Sequence, residues 1–274
     1  LISAMSNHYL AVAVARAAND WTAEAWLERD GRLLAAIAIP AQLPEEAAAE
    51  IRRAASRHER FAAVLLGGNG LGKPYGHPLY EPIHAAAAEL GLPLLIPAGG
   101  DAPLETGTET AAAGFPTLYA EYRILAAQPV MTHLVSLIAQ GVFERHPSLK
   151  VVLQGVGAAW LPALYWRLEA NFVAGQREVP WLRRSLLDYF QEHVRIATWP
   201  LDRAPDAERL ARLLGAFEGV DRMLCYGSGL PEWDSDEPAY VAGRLPEAWH
   251  ERVFRANAAE LFGARAPRLG AAAG

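Results

Sequence analysis

The chain has 274 residues, 52% hydrophobic and 20% charged, with a formal net charge of -6. That length suits one large α/β domain, no apolar run approaches the ~20 residues of a membrane span, and the acidic balance lacks the clustered Lys and Arg that nucleic acid requires. That acidic balance favours a small-molecule partner, and Cys225, the only cysteine, rules out a disulfide or a cysteine-rich zinc site within these residues and fits the expectation of a reducing, cytoplasmic setting.

Taken in chain order, Leu1-Ile2-Ser3-Ala4-Met5 shows no basic segment followed by an apolar one, so no secretion signal is expected, and the missing initiator Met suggests a start partway into the protein. A helical period over residues 8–28 leads to the apolar run Leu33 to Ile39. A helix over 44–57 follows, opened by Pro44 in its first turn with Glu45 and Glu46 near its positive end. Phe61 to Leu66 is the next apolar run, then a helix over 78–90 that Gly91-Leu92-Pro93 stops before the run Leu92 to Ile96. A long insertion, residues 98–128, precedes a helix over 129–145 closed by His146-Pro147. Runs Leu149 to Leu153, Val194 to Ala197 and Arg222 to Tyr226 then alternate with helical stretches at 158–174, 205–216 and 247–262. Such alternation is the pattern of βαβ units around a parallel sheet, whose strands read as continuous apolar runs. Residues 1–263 are expected to form one domain and 264–274 a frayed tail. The pattern leaves two architectures open: an open doubly wound sheet, or a (β/α)₈ barrel whose first strand and most of whose second lie upstream, Leu1-Ile2-Ser3 being the tail of the second.

Five motifs run in order through the chain: Asn19-Asp20-Trp21; Tyr75-Gly76-His77-Pro78-Leu79-Tyr80-Glu81-Pro82-Ile83; Gly141-Val142-Phe143-Glu144-Arg145-His146-Pro147; Trp160-Leu161-Pro162; and Asn257-Ala258-Ala259-Glu260-Leu261-Phe262-Gly263. With them the chain resembles the amidohydrolase-related family that includes aminocarboxymuconate semialdehyde decarboxylase and several aromatic-acid decarboxylases. The resemblance implies a TIM-type barrel with a divalent metal such as zinc at the C-terminal ends of its strands. The family's ligands are a His-x-His on the first strand, a His on the fifth and an Asp on the eighth, with an ionisable residue on the sixth; neutral imidazole and carboxylate hold the ion and leave one position open. The first strand is expected upstream of Leu1, so the His-x-His position is not read from this chain. At the other positions stand Pro97 in Ile96-Pro97-Ala98-Gly99, Gln154 in Leu153-Gln154-Gly155, and Gly229 in Ser228-Gly229-Leu230-Pro231. Proline and glycine offer no side-chain donor and an amide takes no proton near neutral pH. The expectation is therefore that no metal or other cofactor is bound in the family's manner.

Several residues near the strand ends remain as candidates. Glu232, three past Gly229, is the candidate acid or base, against the ordinary state of a loop acid, which is solvated; Gln154 and His77 are the other catalytic candidates. His77 reads equally as a residue that fixes its loop or caps the next helix. Arg123 could clamp a substrate carboxylate by a bidentate pair, or form a salt bridge to Glu121 or another acid. Tyr75, Trp199, Tyr226 and Ser228 complete the expected substrate-binding set. Asp234 is read as tying down its loop and His133 as packing. Gly67-Gly68-Asn69-Gly70 lacks the Gly-Lys-Ser/Thr ending of a phosphate loop, and Ser228 has no triad partners. The expected function is that of a metal-independent hydrolase, decarboxylase-type lyase or cyclase acting on a small carboxylated or polyketide-like molecule; the alternative is a pseudoenzyme that binds a ligand or a partner subunit of the same fold. The Ala-, Arg- and Gly-rich composition is compatible with bacterial secondary metabolism, and Trp160, Trp166 and Trp181 suggest a homodimer.

Overall fold

Six short strands form one parallel sheet in the computed structural model, which describes residues 2–68, 72–98 and 117–265. They are β1 (Ala35–Ala38), β2 (Phe61–Leu65), β3 (Leu94–Pro97), β4 (Val151–Gln154), β5 (Val194–Ala197) and β6 (Leu224–Cys225). Each pairs only with its neighbours in chain order. A doubly wound sheet reverses its order at a switch point; this one does not, so every crossover advances in the same direction, as in the wall of a (β/α)₈ barrel, which is the fold class.

Register explains the apolar runs. Ile37, Val64, Leu94, Val151 and Val194 lie opposite one another in successive strands, as do Ile96, Leu153, Ile196 and Leu224, and all are essentially inaccessible. This row packs into the core with Ile51, Ile83, Leu137 and Leu214 of the surrounding helices. The alternate face carries Ala38, Leu65, Leu95, Val152 and Arg195 in one row and Pro97 beside Gln154 in the next.

The helices are α1 (His8–Thr22), α2 (Pro44–Arg57), α3 (Glu81–Glu89), α4 (Tyr119–Leu125), α5 (Ala127–Ala139), α6 (Val142–Arg145), α7 (Leu161–Gly175), α8 (Leu186–His193), α9 (Ala207–Gly215), α10 (Pro238–Ala242) and α11 (Asn257–Phe262). The α2 boundaries coincide with the expected 44–57. Between Ala139 and Val142 the expected single helix breaks at Gly141 (φ +68°), where a Cβ would lie 2.5 Å from the Trp181 ring. The apolar pattern passed over α4, α8 and α10. Of these α8 has only two turns, yet Ser185 and Asp188 cap it reciprocally, each side chain accepting the other's backbone N–H. Ile2–Ala4 is a 3₁₀ turn rather than the tail of a strand: the Gln42 amide donates to Ile2 O (2.9 Å) and the Ser3 hydroxyl to Ile39 O (3.4 Å), and among the described residues the segment joins no strand pairing. Gly263–Arg265 is a further 3₁₀ turn; the rest of the expected tail lies outside the described residues.

Two of the sequence motifs are joints of this frame. Asn19 brackets Ala38 of β1, its Nδ2 donating to the carbonyl and its Oδ1 accepting the N–H, both at 2.9 Å. The same amide donates to Glu50 (2.7 Å), a wholly buried carboxylate that also holds Arg53. Asn257 donates to Asp221 O and Leu224 O, each at 2.7 Å, and so fixes α11 to β6. No helix among the described residues is long and apolar enough to cross a membrane.

Candidate functional site

At the C-terminal ends of β4, β5 and β6 the chain turns through Gly155, Thr198-Trp199 and Gly227-Ser228-Gly229. Trp199 is 7% exposed, and its indole N–H donates to the backbone oxygen of Asp234 at 3.1 Å. The ring lies against two glycines in left-handed conformations. A Cβ on Gly229 (φ +77°) would sit 2.2 Å from the indole Cε2, and one on Gly155 (φ +78°) 3.3 Å from Cζ3. Here glycine is required twice over, for its positive φ and for the space it leaves.

Arg123 of α4 lies over a face of this tryptophan, its guanidinium carbon 5.3 Å from the ring centroid. The same guanidinium is ion-paired to Asp234, and both side chains are less than a quarter exposed, at 23% and 17%. A charge-assisted pair resting on an aromatic face and partly removed from water is stronger than its surface counterpart. The second oxygen of Asp234, Oδ1, is buried with no hydrogen-bond partner. Behind it the loop braces itself: the buried carboxylate of Asp236 accepts the Leu201 N–H (2.7 Å), the Tyr226 hydroxyl donates to Asp236 O (2.9 Å), and the Asp236 N–H donates to Ser228 O (2.8 Å).

The structure therefore gathers Arg123, Trp199, Tyr226 and Ser228 around the loop that carries Asp234. Gln154, half-buried, ends β4 one residue before Gly155. Tyr226 stacks on Phe254 at 5.1 Å, and Ser228 Oγ accepts the Leu230 N–H at 3.2 Å. Glu232 is exposed on the same loop. Tyr75 and His77 lie elsewhere, on the connection from β2 to α3. Tyr75 is buried with its hydroxyl on Gly67 O (3.0 Å) and its N–H on His133 Nδ1 (3.2 Å), and His77 Nδ1 accepts the Leu79 N–H (3.1 Å) as a helix cap. His133 donates from Nε2 to Gly68 O at 3.0 Å, and burial lowers its pKa to about 4, so it is a neutral buttress. Glu121, one of the two partners expected for Arg123, instead accepts the N–H groups of Thr117 and Leu118 at the start of α4. A salt bridge from Arg123 to an acid was an expected alternative, but nothing local in the sequence pairs it with Asp234, 111 positions away.

For a divalent metal the donor set is the test. Pro97 has no side-chain donor, Gln154 only an amide, and the space above Gly229 holds the Trp199 ring. Among the described residues no three His, Cys, Asp or Glu come together to hold an ion. Those residues do not fit a metal.

The amidohydrolase family matches residues 2–264. The gamma-resorcylate decarboxylase of Rhizobium sp. (strain MTP-10005) is 29% identical over 273 residues, covering 95% of this chain and 79% of its own. The solved 2,6-dihydroxybenzoate decarboxylase from Rhizobium superposes with a TM-score of 0.73 at 24% identity, over 95% of this chain and 80% of its own. The dihydroxybenzoic acid decarboxylase of Polaromonas sp. JS666 superposes equally well, with a TM-score of 0.73 at 22% identity, over 95% of this chain and 78% of its own; it was solved with manganese and the inhibitor 2-nitroresorcinol. That manganese corrects the expectation of no cofactor drawn from Pro97 and Gly229: neighbours of this fold point to a divalent metal.

Proposed function

The chain belongs to the amidohydrolase family, and from that premise we propose that it is a carbon–carbon lyase removing carbon dioxide from a small hydroxylated aromatic acid. The bond between ring carbon and carboxyl carbon breaks, carbon dioxide leaves, and a proton takes its place on the ring. Relatives named for this chemistry on gamma-resorcylate support the reading. The observation that carries it is the Arg123 guanidinium stacked on Trp199 and already gripping a carboxylate, that of Asp234. An aromatic acid presents the same two groups, an anionic carboxylate and a flat ring. Its carboxylate would replace that of Asp234 on Arg123 and keep the guanidinium paired, while the displaced Asp234, whose Oδ1 already lacks a partner, would have to turn toward solvent. The residues around it orient the acid and keep water from the reacting carbon. Manganese in the Polaromonas neighbour supports a divalent metal as cofactor here also.

A second reading, a member that binds such an acid without turning it over, draws on the Trp199 ring filling the space above Gly229 and Gly155. Incubation with 2,6-dihydroxybenzoate, with and without added Mn²⁺, separates the two. Formation of 1,3-dihydroxybenzene, followed by chromatography, supports the lyase. Calorimetric binding that Arg123→Ala abolishes, with no product under either condition, supports the binder, and neither binding nor product sinks both.

A further inference from the structure

At the opposite end of the sheet a cavity of about 370 Å³ opens beneath the N-terminal ends of β3, β4 and β5. Pro93, Ser148, Lys150, Arg195 and Glu260 are among its walls. Two of these are cations without a carboxylate of their own. The Lys150 ammonium donates to the backbone oxygen of Glu192 (2.7 Å). Arg195 Nη1 donates to Gln191 O (3.0 Å) and Val194 O (2.8 Å), while its Nε is buried with no partner. The neighbouring acids are engaged elsewhere, Glu192 with Arg184 at 2.5 Å and Glu260 with Arg252 at 3.0 Å. Burial lowers the pKa of both Lys150 and Arg195, and the charge of Arg195 adds to the effect on Lys150. Glu192 and Glu260 favour the charged forms of Lys150 and Arg195 from a distance, but burial still outweighs them, so two like charges share a partly desolvated cavity with their cost only partly offset.

We propose that this cavity is an anion site for a phosphoryl group, held between the Lys150 ammonium and the Arg195 guanidinium. A phosphoryl group carries close to two negative charges at neutral pH and several acceptor oxygens. It would neutralise both cations, whereas a monocarboxylate would leave one charge over. Inorganic phosphate and a phosphorylated small molecule share this chemistry. The site lies at the other end of the strands from Arg123 and Trp199, so its failure would leave the lyase reading untouched.

The test is a titration of the whole chain with inorganic phosphate at constant ionic strength, read by calorimetry and by thermal melting, with chloride as the reference anion. The expected result is one phosphate per chain and a melting temperature that rises with phosphate concentration as single-site linkage requires. Lys150→Gln and Arg195→Gln are each expected to weaken binding at least about tenfold, the loss of a charge-assisted bond. Lys150, whose ammonium makes a single carbonyl bond, keeps the test available should Arg195→Gln not fold. Stabilisation no greater than chloride gives, or unchanged affinity in Lys150→Gln, would overturn the proposal. A follow-up with a phosphorylated sugar separates the two sources of the phosphoryl group: tighter binding than inorganic phosphate points to the metabolite, equal binding to the free ion.

Discussion

Trp199 shows how one side chain organises the candidate site. Its ring needs the absence of a Cβ at Gly229, carries Arg123 on one face, and ties its own N–H to the loop at Asp234. Restoring a carboxylate by Gly229→Asp is expected to destabilise the chain by about 2 kcal/mol or more, because a non-glycine residue is forced to positive φ against an aromatic ring. Thermal melting checks this. Adding Trp199→Ala should recover part of the loss, and a strictly additive double variant would show that the ring and position 229 do not compete. Arg123→Ala is expected to raise KM for an aromatic acid about 10- to 100-fold through loss of a charge-assisted bond, with Arg123→Lys intermediate; an unchanged KM in steady-state kinetics would remove Arg123 from the binding site. At this scale the sequence disclosed residue types. That Arg123 meets Asp234, 111 positions on, and that Tyr75 is buried against His133, follow from packing alone.

Among the elements, the strands were the most legible, since a strand buried on both faces reads as an apolar run whatever its neighbours. Their observed starts come later than the runs suggest where local bonds compete. Leu92 N–H is taken by Ala87 O and Pro93 has no N–H, so β3 begins at Leu94. The short helices α4, α8 and α10 were not legible, because two turns or fewer carry too little periodicity to stand out from a loop. Asn19 is the joint between α1 and β1. Asn19→Ala leaves both polar groups of Ala38 unmet and takes one of its donors from the buried Glu50 carboxylate, and is expected to cost about 2–4 kcal/mol. Chemical denaturation measures it, and a loss under about 0.5 kcal/mol, the scale of a neutral surface change, would show that water replaces the amide.

Over the whole molecule, burial sets the acid response. His133 titrates near its usual 6.5 when unfolded but at about 4 when folded, chiefly through desolvation. A folded pKa lowered in this way gives stability that is complete above about pH 6.5 and is lost as pH falls toward 4, since only the unfolded chain takes up the proton in that window. His84 and His193 are displaced in the same direction, again mainly by burial. The unfolding free energy is therefore expected to decline between pH 6.5 and 4, and His133→Gln to decline less steeply by up to one proton. Parallel slopes in pH-dependent denaturation would refute the assignment. The amidohydrolase resemblance was also legible, because motifs such as Asn19-Asp20-Trp21 and Asn257-Ala258-Ala259 are frame joints whose partners are backbone groups and the frame side chains Glu50 and Arg53, which lie away from the strand-end site. The expectation of no cofactor failed for the complementary reason: it rested on three strand-end positions, and manganese in a neighbour of this fold overturned it.

The sequence by itself determined the alternation of buried strands and covering helices, the frame motifs and the residue types at the strand ends, because periodicity and local capping act over a few residues. Tertiary structure alone decided that the strands run in unbroken order, that Trp199 fills the space above Gly229 under Arg123 and Asp234, and that Lys150 and Arg195 share a cavity. Each of these joins side chains far apart in the chain, and such contacts exist only once the sheet has set the register of every strand against its neighbour.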